Sequence, residues 1–114
     1  MRYALLICCD QSAAVGDGER SRREAHLIAI RDRMQARGVL AGSHRLQPAQ
    51  AARTVRCWDG GDVVITEGPF AQTREQLAGW FIVECKDQDE AIDLATTIPT
   101  AWYGAIEVRP VRQV

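Results

Sequence analysis

Hydrophobic and polar positions alternate with a period of two in several short segments of the chain, as they do in β-strands. Residues 2–9 are almost continuously apolar, which predicts a strand in the middle of a sheet. Residues 79–86 predict another strand, in which Phe81, Val83 and Cys85 share one face and the side chains between them share the other. One face of this second strand is therefore expected to lie in the core.

A different period governs residues 19–37, where Leu27, Ile30 and Met34 recur at helical spacing. Gly38 follows at the position where a glycine commonly ends a helix. The segment therefore predicts a helix with one apolar stripe.

Capping patterns predict where two helices begin. Asp87 and Glu90 have the spacing of a capping box and open a second helix that runs to Ile98. Ser21 and Glu24 have the same spacing, so the first helix has two candidate starts, at residue 19 and two residues later.

The remaining strand signals are short. Residues 39–46 and 106–111 each predict one strand, and residues 54–59 and 62–66 predict two more around the pair Gly60–Gly61. A glycine pair between two β-rich runs is typical of a hairpin.

The predicted order is strand, helix, strand, inserted hairpin, strand, helix, strand. This is an α+β fold with the split β-α-β pattern of the ferredoxin-like class, in which two helices cover one face of an antiparallel sheet. The other face needs a partner, because large exposed apolar patches are rare on monomers. We therefore expect a homodimer packed sheet against sheet, to which Trp58 and Trp80 could contribute.

Composition excludes several classes of function. The 114 residues fit one domain, 1–114, and a net charge of −1 with a pI near 6.1 argues against direct nucleic-acid binding. Arg20, Arg22 and Arg23, followed directly by Glu24, are interpreted as a solvated helix start, and the alternative is a patch that binds an anion or a partner. No apolar run is long enough to cross a membrane, so we expect a cytoplasmic protein. The four cysteines lack the spacing of metal ligands, so we expect no metal and no cofactor.

One turn is a candidate site, within residues 65–73 (ITEGPFAQT). Glu67 ends a strand, Gly68 can adopt a positive φ and Pro69 fixes φ, so the chain leaves the sheet in a defined direction. Phe70 is expected to anchor the turn in the core or to contact a ligand. Two interpretations of Glu67 remain open: a carboxylate in water at a structural turn, or a catalytic group in an apolar cleft that moves a proton.

Four further side chains are candidates for ligand contact or catalysis. His26 lies at the border of the apolar stripe of the first helix, and His44 lies on the predicted second strand. Arg45 and Arg56 alternate with apolar neighbours and could hold an anionic substrate through paired hydrogen bonds. The alternative for each of the four is a surface position without a ligand.

Four segments resemble, in order, the signatures of the YCII-related proteins, and specifically of their DGPF branch. These segments are 45–48 (RLQP), 54–56 (TVR), 67–79 (EGPFAQTREQLAG) and 106–110 (IEVRP). The similarity extends over nearly the whole chain. The aspartate for which the branch is named is replaced here by Glu67, whose side chain is longer by one methylene group.

The resemblance implies a dimeric α/β-barrel made of two ferredoxin-like subunits. It also implies a cleft between sheet and helices for small, often aromatic or lactone-like molecules, and it implies a catalytic base at His26. We therefore expect a homodimer that binds a small anionic or aromatic ligand, with cofactor-independent isomerase or lyase-like activity as an open question. The alternative is a non-enzymatic module associated with a sigma factor of the extracytoplasmic-function type, beside which many such relatives are encoded.

Overall fold

The computed structural model describes residues 1–113, so Val114, the last residue of the predicted domain, lies outside the described residues. Two α-helices and six strands follow one another in the predicted order. They are β1 (Arg2–Asp10), α1 (Asp17–Ala36), β2 (Leu40–Arg45), β3 (Arg53–Cys57), β4 (Val63–Glu67), β5 (Glu75–Glu84), α2 (Gln88–Thr96) and β6 (Ala105–Pro110). Short 3₁₀ turns at Ala49–Ala51 and Pro99–Trp102 complete the chain path.

The main sheet has the strand order β2-β5-β1-β6, and each neighbouring pair is antiparallel. This arrangement confirms the α+β, ferredoxin-like prediction. The apolar strand β1 lies inside the sheet, as its sequence predicts, because it is hydrogen-bonded to a neighbouring strand on each side, β5 and β6.

The core lies between the sheet and the two helices. The strands contribute alternate residues to it, which confirms the predicted face of β5. The buried core side chains are Tyr3, Leu5 and Ile7 of β1, Ile30 and Met34 of α1, Phe81 and Val83 of β5 with the adjoining Cys85, Ala91, Leu94 and Ala95 of α2, and Ile98 beyond it.

Helix α1 begins earlier than either predicted start. Gly16 is the N-cap and Asp17 the first helical residue, so Ser21 lies within the helix and does not cap it. Asp17 and Glu19 occupy the first turn, where negative charge is favourable near the exposed N–H groups. The polar composition of this turn hides it from a search for apolar periodicity.

The predicted end of α1 is confirmed. Gly38 has a φ of 73°, and the N–H of Val39 donates to the carbonyl of Met34. The N–H of Gly38 donates to the carbonyl of Gln35, which completes a Schellman motif. Val39 then leads directly into β2.

Strand β5 begins at Glu75, four residues before the predicted start. Glu75, Gln76 and Leu77 pair with the end of β1, and the register shifts between Ile7 and Cys8. The polar residues at the start of β5 give no strand signal of their own, so pairing with β1 decides their conformation.

The β3–β4 hairpin forms a separate two-stranded sheet, as predicted. Gly60 and Gly61 both have positive φ, which explains the glycine pair at the tip. Every side chain of β4 is exposed, as are all those of β3 except the half-buried Thr54. Within the described residues, no helix is both long enough and apolar enough to span a membrane.

Candidate functional site

A cleft of about 520 Å³ lies between the first turns of α1 and the ends of β1 and β2. This volume is within the range of small-molecule sites. Ile7 and Leu27 form part of its apolar wall, and Ala78 lies at the irregularity of β5. The first turns of α1 contribute Arg20 and Arg23 to the cleft, whereas the buried side chains of this helix, Ile30 and Met34, lie further along it.

The charged side chains in the cleft are mainly basic. Arg20, Arg23 and Arg45 line it together with the carboxylates of Asp10 and Glu24. Arg45 is paired with Glu24 at 2.5 Å, and both side chains are about half exposed. A half-exposed ion pair contributes at most about 1 kcal/mol, so an anionic ligand could replace Glu24 as the partner of Arg45.

Arg23 and Tyr103 form one side of the entrance. The guanidinium carbon of Arg23 lies 3.7 Å from the centre of the Tyr103 ring, a cation–π contact, while its Nε is 3.1 Å from Glu19. The Tyr103 hydroxyl is 3.4 Å from that of the buried Thr100, and both residues line the cleft. The site therefore combines a fixed cation, an aromatic ring and two hydroxyl groups.

Cys9 contributes a thiol to the cleft. Burial raises the pKa of Cys9, and the nearby guanidinium groups of Arg23 and Arg45 offset part of this rise. The thiol therefore stays protonated at neutral pH and acts as a small, weakly polar wall of the site. Cys8 points to the other face of the sheet, as the alternation of a strand predicts.

Asp10 is held as a carboxylate at the end of β1. Its Oδ1 accepts hydrogen bonds from the hydroxyl and the backbone N–H of Ser12, at 2.6 and 2.9 Å. These hydrogen bonds, with a smaller effect of Arg74, lower the pKa of Asp10 below its usual value. Asp10 is thus suited to accept hydrogen bonds from a ligand and is a poor proton donor.

The structure brings only one of the predicted site residues into this cleft, which is Arg45. His26 is exposed on α1 and is not among the residues that line the cleft. His44 points to the opposite face of the sheet, where its ring is 5.6 Å from that of Trp80. His26, His44 and the cleft therefore lie at three different places in the molecule.

Glu67 lies at the root of the hairpin, away from the cleft. Its side chain is 87% exposed and its nearest cation is Arg53, at 3.8 Å. Gly68 has the expected positive φ of 95°, and its N–H and carbonyl are bonded to Ala52 and Thr54. In the single chain, Glu67 is therefore a carboxylate in water at a structural turn, which is the first of the two interpretations given above.

The expectation that Phe70 anchors this turn in the core of the chain is wrong. Phe70 is 68% exposed, and the guanidinium carbon of Arg56 lies 4.8 Å from its ring centre. The same guanidinium is 5.9 Å from the ring centre of Trp58. The guanidinium of Arg56 therefore already has two aromatic rings as neighbours at the hairpin.

Sequence reasoning missed Arg23, Cys9 and Tyr103. Reading Arg23 as solvent-exposed is wrong, because it is half-buried and lines the cleft. A signal was present, since Arg23 precedes Leu27 by four residues and so lies on the same helix face. Tyr103 had no such signal, because it follows a 3₁₀ turn whose position depends on packing.

Comparison with known proteins places the chain in a family. A family model of the YCII-related domain matches residues 1–114. The chain belongs to the YCII-related family. The chain is also similar to an uncharacterised protein of Rhizobium meliloti (strain 1021), with 36% identity over 115 residues, which is 97% of this chain and 92% of that protein.

Metal ligands do not cluster in the part of the chain that the structure describes. Within residues 1–113, no group of three or more His, Cys, Asp or Glu side chains is arranged to hold a metal ion.

Proposed function

We propose that this YCII-related protein, of the DGPF branch, is a homodimer that binds a small carboxylic acid in the cleft under α1. The observation that supports the proposal most directly is the position of Arg45 in a cleft that also contains Arg20 and Arg23. Three guanidinium groups against two carboxylates favour an anion.

An aromatic or planar ligand fits the remaining surface best. Ile7 and Leu27 offer apolar contact, and the Tyr103 ring lies at the entrance. A carboxylate on such a ligand would take the place of Glu24 at Arg45, with two parallel N–H···O hydrogen bonds. The hydroxyl groups of Thr100 and Tyr103 could then bind a second oxygen atom of the ligand.

The homodimer is supported by the face of the sheet opposite the helices. Leu6, Trp80 and Ile82 lie half-buried there, and within residues 1–113 no helix covers them. Apolar side chains on an uncovered sheet are stabilised by a second layer. A second copy of the chain would supply that layer.

Proton transfer is not part of this proposal. Neither His26 nor Glu67 lines the cleft, so acid–base catalysis by this pair remains a prediction from the sequence. The sigma-factor module also remains a prediction, which a pull-down with a sigma factor of the extracytoplasmic-function type would test.

A thermal-shift experiment with benzoate, salicylate and phenylpyruvate, each compared with its neutral amide, tests the binding proposal. An acid at 100 times its Kd adds about 2.7 kcal/mol of stability. We expect acids alone to raise the Tm, and Arg45→Met to remove the effect. The control is Arg33→Met, which changes an exposed arginine of α1 outside the cleft.

Equal shifts for acids and amides, or a shift that survives in Arg45→Met, would contradict carboxylate recognition by this arginine. The same screen with Glu67→Ala tests the alternative site at the hairpin turn. A shift lost in Glu67→Ala and kept in Arg45→Met would move the binding site to that turn.

A further inference from the structure

The β3–β4 hairpin presents an apolar face that the described residues of its own chain leave exposed. Side chains alternate across a strand, so Val55, Cys57, Val63 and Ile65 share one face of the hairpin. The exposed fractions of Val55, Val63 and Ile65 are 59%, 59% and 66%. At the root of the hairpin, the same face ends in the ion pair between Arg53 and Glu67.

The opposite face of the hairpin carries a cation beside two aromatic rings. Arg56 and Val64 lie on it as a cross-strand pair, and the guanidinium of Arg56 contacts the Phe70 and Trp58 rings. The two faces therefore differ in composition: one carries Arg56 beside two aromatic rings, and the other carries exposed aliphatic side chains and a thiol.

A two-stranded hairpin alone is at best marginally stable in water. This hairpin pairs with no strand of the main sheet, so its ladder has no third strand to support it. Its exposed β-branched side chains would favour aggregation unless another surface covers them.

The apolar face of the hairpin is continuous with the open face of the main sheet. A groove of about 630 Å³ at the root of the hairpin joins them, and its lining includes Val55, Phe70 and Leu77. Leu77 pairs with Cys8, whose side chain lies on the open face. The hairpin thus extends the sheet surface that the proposed dimer would use.

The chain exposes more surface than a compact monomer of its mass. The chain exposes 8078 Å², whereas a monomeric protein of its mass exposes about 6,200 Å². Its radius of gyration is 16.1 Å, against about 13 Å for a compact chain of this length. The excess of roughly 1,800 Å² exceeds the 800 Å² or so that each partner buries in a standard interface.

We propose that the hairpin is an intersubunit arm, whose apolar face of Val55, Cys57, Val63 and Ile65 packs on a second copy of this chain. The occupant is a second copy because one chain carries both uncovered surfaces, and a twofold axis brings each surface of one copy to the other. This inference rests on the proposed homodimer and adds that the hairpin is part of its interface.

Sedimentation equilibrium of the full chain and of two single variants tests the arm. Ile65→Glu places a charge on the apolar face, and Val64→Glu places the same charge one residue away, on the opposite face. Both side chains are exposed, so neither change disturbs the protomer core. We expect Ile65→Glu to weaken dimerisation about a hundredfold or more, because a charge buried without a partner is unfavourable, and Val64→Glu to change it much less.

Hydrogen exchange of residues 53–67 gives an independent readout. We expect the hairpin amides to be protected in the dimer and to exchange rapidly in Ile65→Glu at the same concentration. Circular dichroism of the variant checks that the main sheet and helices remain folded.

The outcomes separate the two proposals. A wild-type chain that is monomeric at all concentrations overturns the homodimer and the arm together. A wild-type dimer in which Ile65→Glu and Val64→Glu associate equally well overturns the arm alone. A hairpin that exchanges rapidly in an intact dimer also overturns the arm.

Discussion

At the residue scale, the glycine of β5 shows how closely two strands approach each other. Gly79 pairs with Arg45 of β2, and a Cβ built on it would lie 2.7 Å from the carbonyl oxygen of His44. Real Cβ atoms do not approach a backbone atom so closely, and here the neighbour is backbone and has little freedom to move. Gly79 therefore fixes the position of β2, and with it the position of Arg45 in the cleft.

Gly79→Ala is expected to lower the free energy of unfolding by about 1–3 kcal/mol, because the added methyl forces the strands apart. Urea unfolding measures the loss. Gly42→Ala is the matched control, since nothing lies within 4 Å of its Cβ and its φ is not positive. If the two variants were equally stable, the close approach would not be a constraint.

The arginines of the cleft show a second effect at this scale. Arg23 and Arg45 come from a helix and an edge strand that are separated in sequence, and each already has a carboxylate partner. Both are held in position before any ligand binds, which reduces the entropy lost on binding. A carboxylate ligand would then need to replace only the partner of Arg45.

At the scale of elements, the second helix depends on its N-cap residue, Asp87. The side chain of Asp87 accepts a hydrogen bond from the N–H of Glu90 at 2.9 Å, which confirms the predicted cap. Helix α2 has only nine residues, so it is too short to be stable without its cap and its packing.

Asp87→Ala is expected to reduce stability by about 1 kcal/mol, because the N–H of Glu90 loses its acceptor. Asp87→Asn keeps an oxygen acceptor at the same place and should retain most of the stability. Thermal unfolding of the two variants compares them directly. An equal loss in both would assign the effect to the charge of Asp87 and not to its hydrogen bond.

The hairpin shows the limits of propensity at the scale of elements. Its β-branched residues and its glycine pair predict its existence, and both predictions are confirmed. They do not predict which face is covered, because Val55 and Val64 have equal strand propensity and lie on opposite faces.

At the scale of the whole molecule, three thiols link stability to pH. Burial raises the pKa of Cys8, Cys9 and Cys85 above the ordinary value of 9.0. The folded state therefore keeps these protons to a higher pH than the unfolded state does. The stabilisation is fully present below the unfolded pKa and is lost as pH rises through the folded pKa.

We expect the free energy of unfolding to fall above about pH 9, and to fall less steeply in Cys85→Ala. Val83→Ala is the matched control, because Val83 is buried on the same face of β5 and has no titrating group. It should lower stability at every pH and leave the alkaline slope unchanged. A slope in Cys85→Ala equal to that of the wild type would contradict the role of this thiol.

The sequence predicts the architecture well because each element carries a local signal. The continuous apolar run of β1, the stripe of Leu27, Ile30 and Met34, and the cap at Asp87 are all confirmed, since each depends on residues close together in the chain. The two displaced element starts, at Asp17 and Glu75, lie in polar segments. There, helix dipole and strand pairing decide the conformation, and hydrophobic periodicity does not.

Much less of the candidate site could be predicted from the sequence. Of His26, His44, Arg45, Arg56, Glu67 and Phe70, only Arg45 lines the cleft under α1. The reason is that a strand residue faces the cleft or the opposite surface according to register. His44 and Arg45 are adjacent in sequence and point to opposite faces.

By itself, the sequence determined the order of the elements, the helix-facing side of β5, the hairpin and the family. Only the tertiary structure decided that Arg23, Cys9 and Tyr103 meet Arg45, and that one face of the hairpin is left uncovered. The first set follows from periodicity and from capping and turn chemistry, which act over a few residues. The second follows from strand register and helix docking, which bring together residues far apart in the chain.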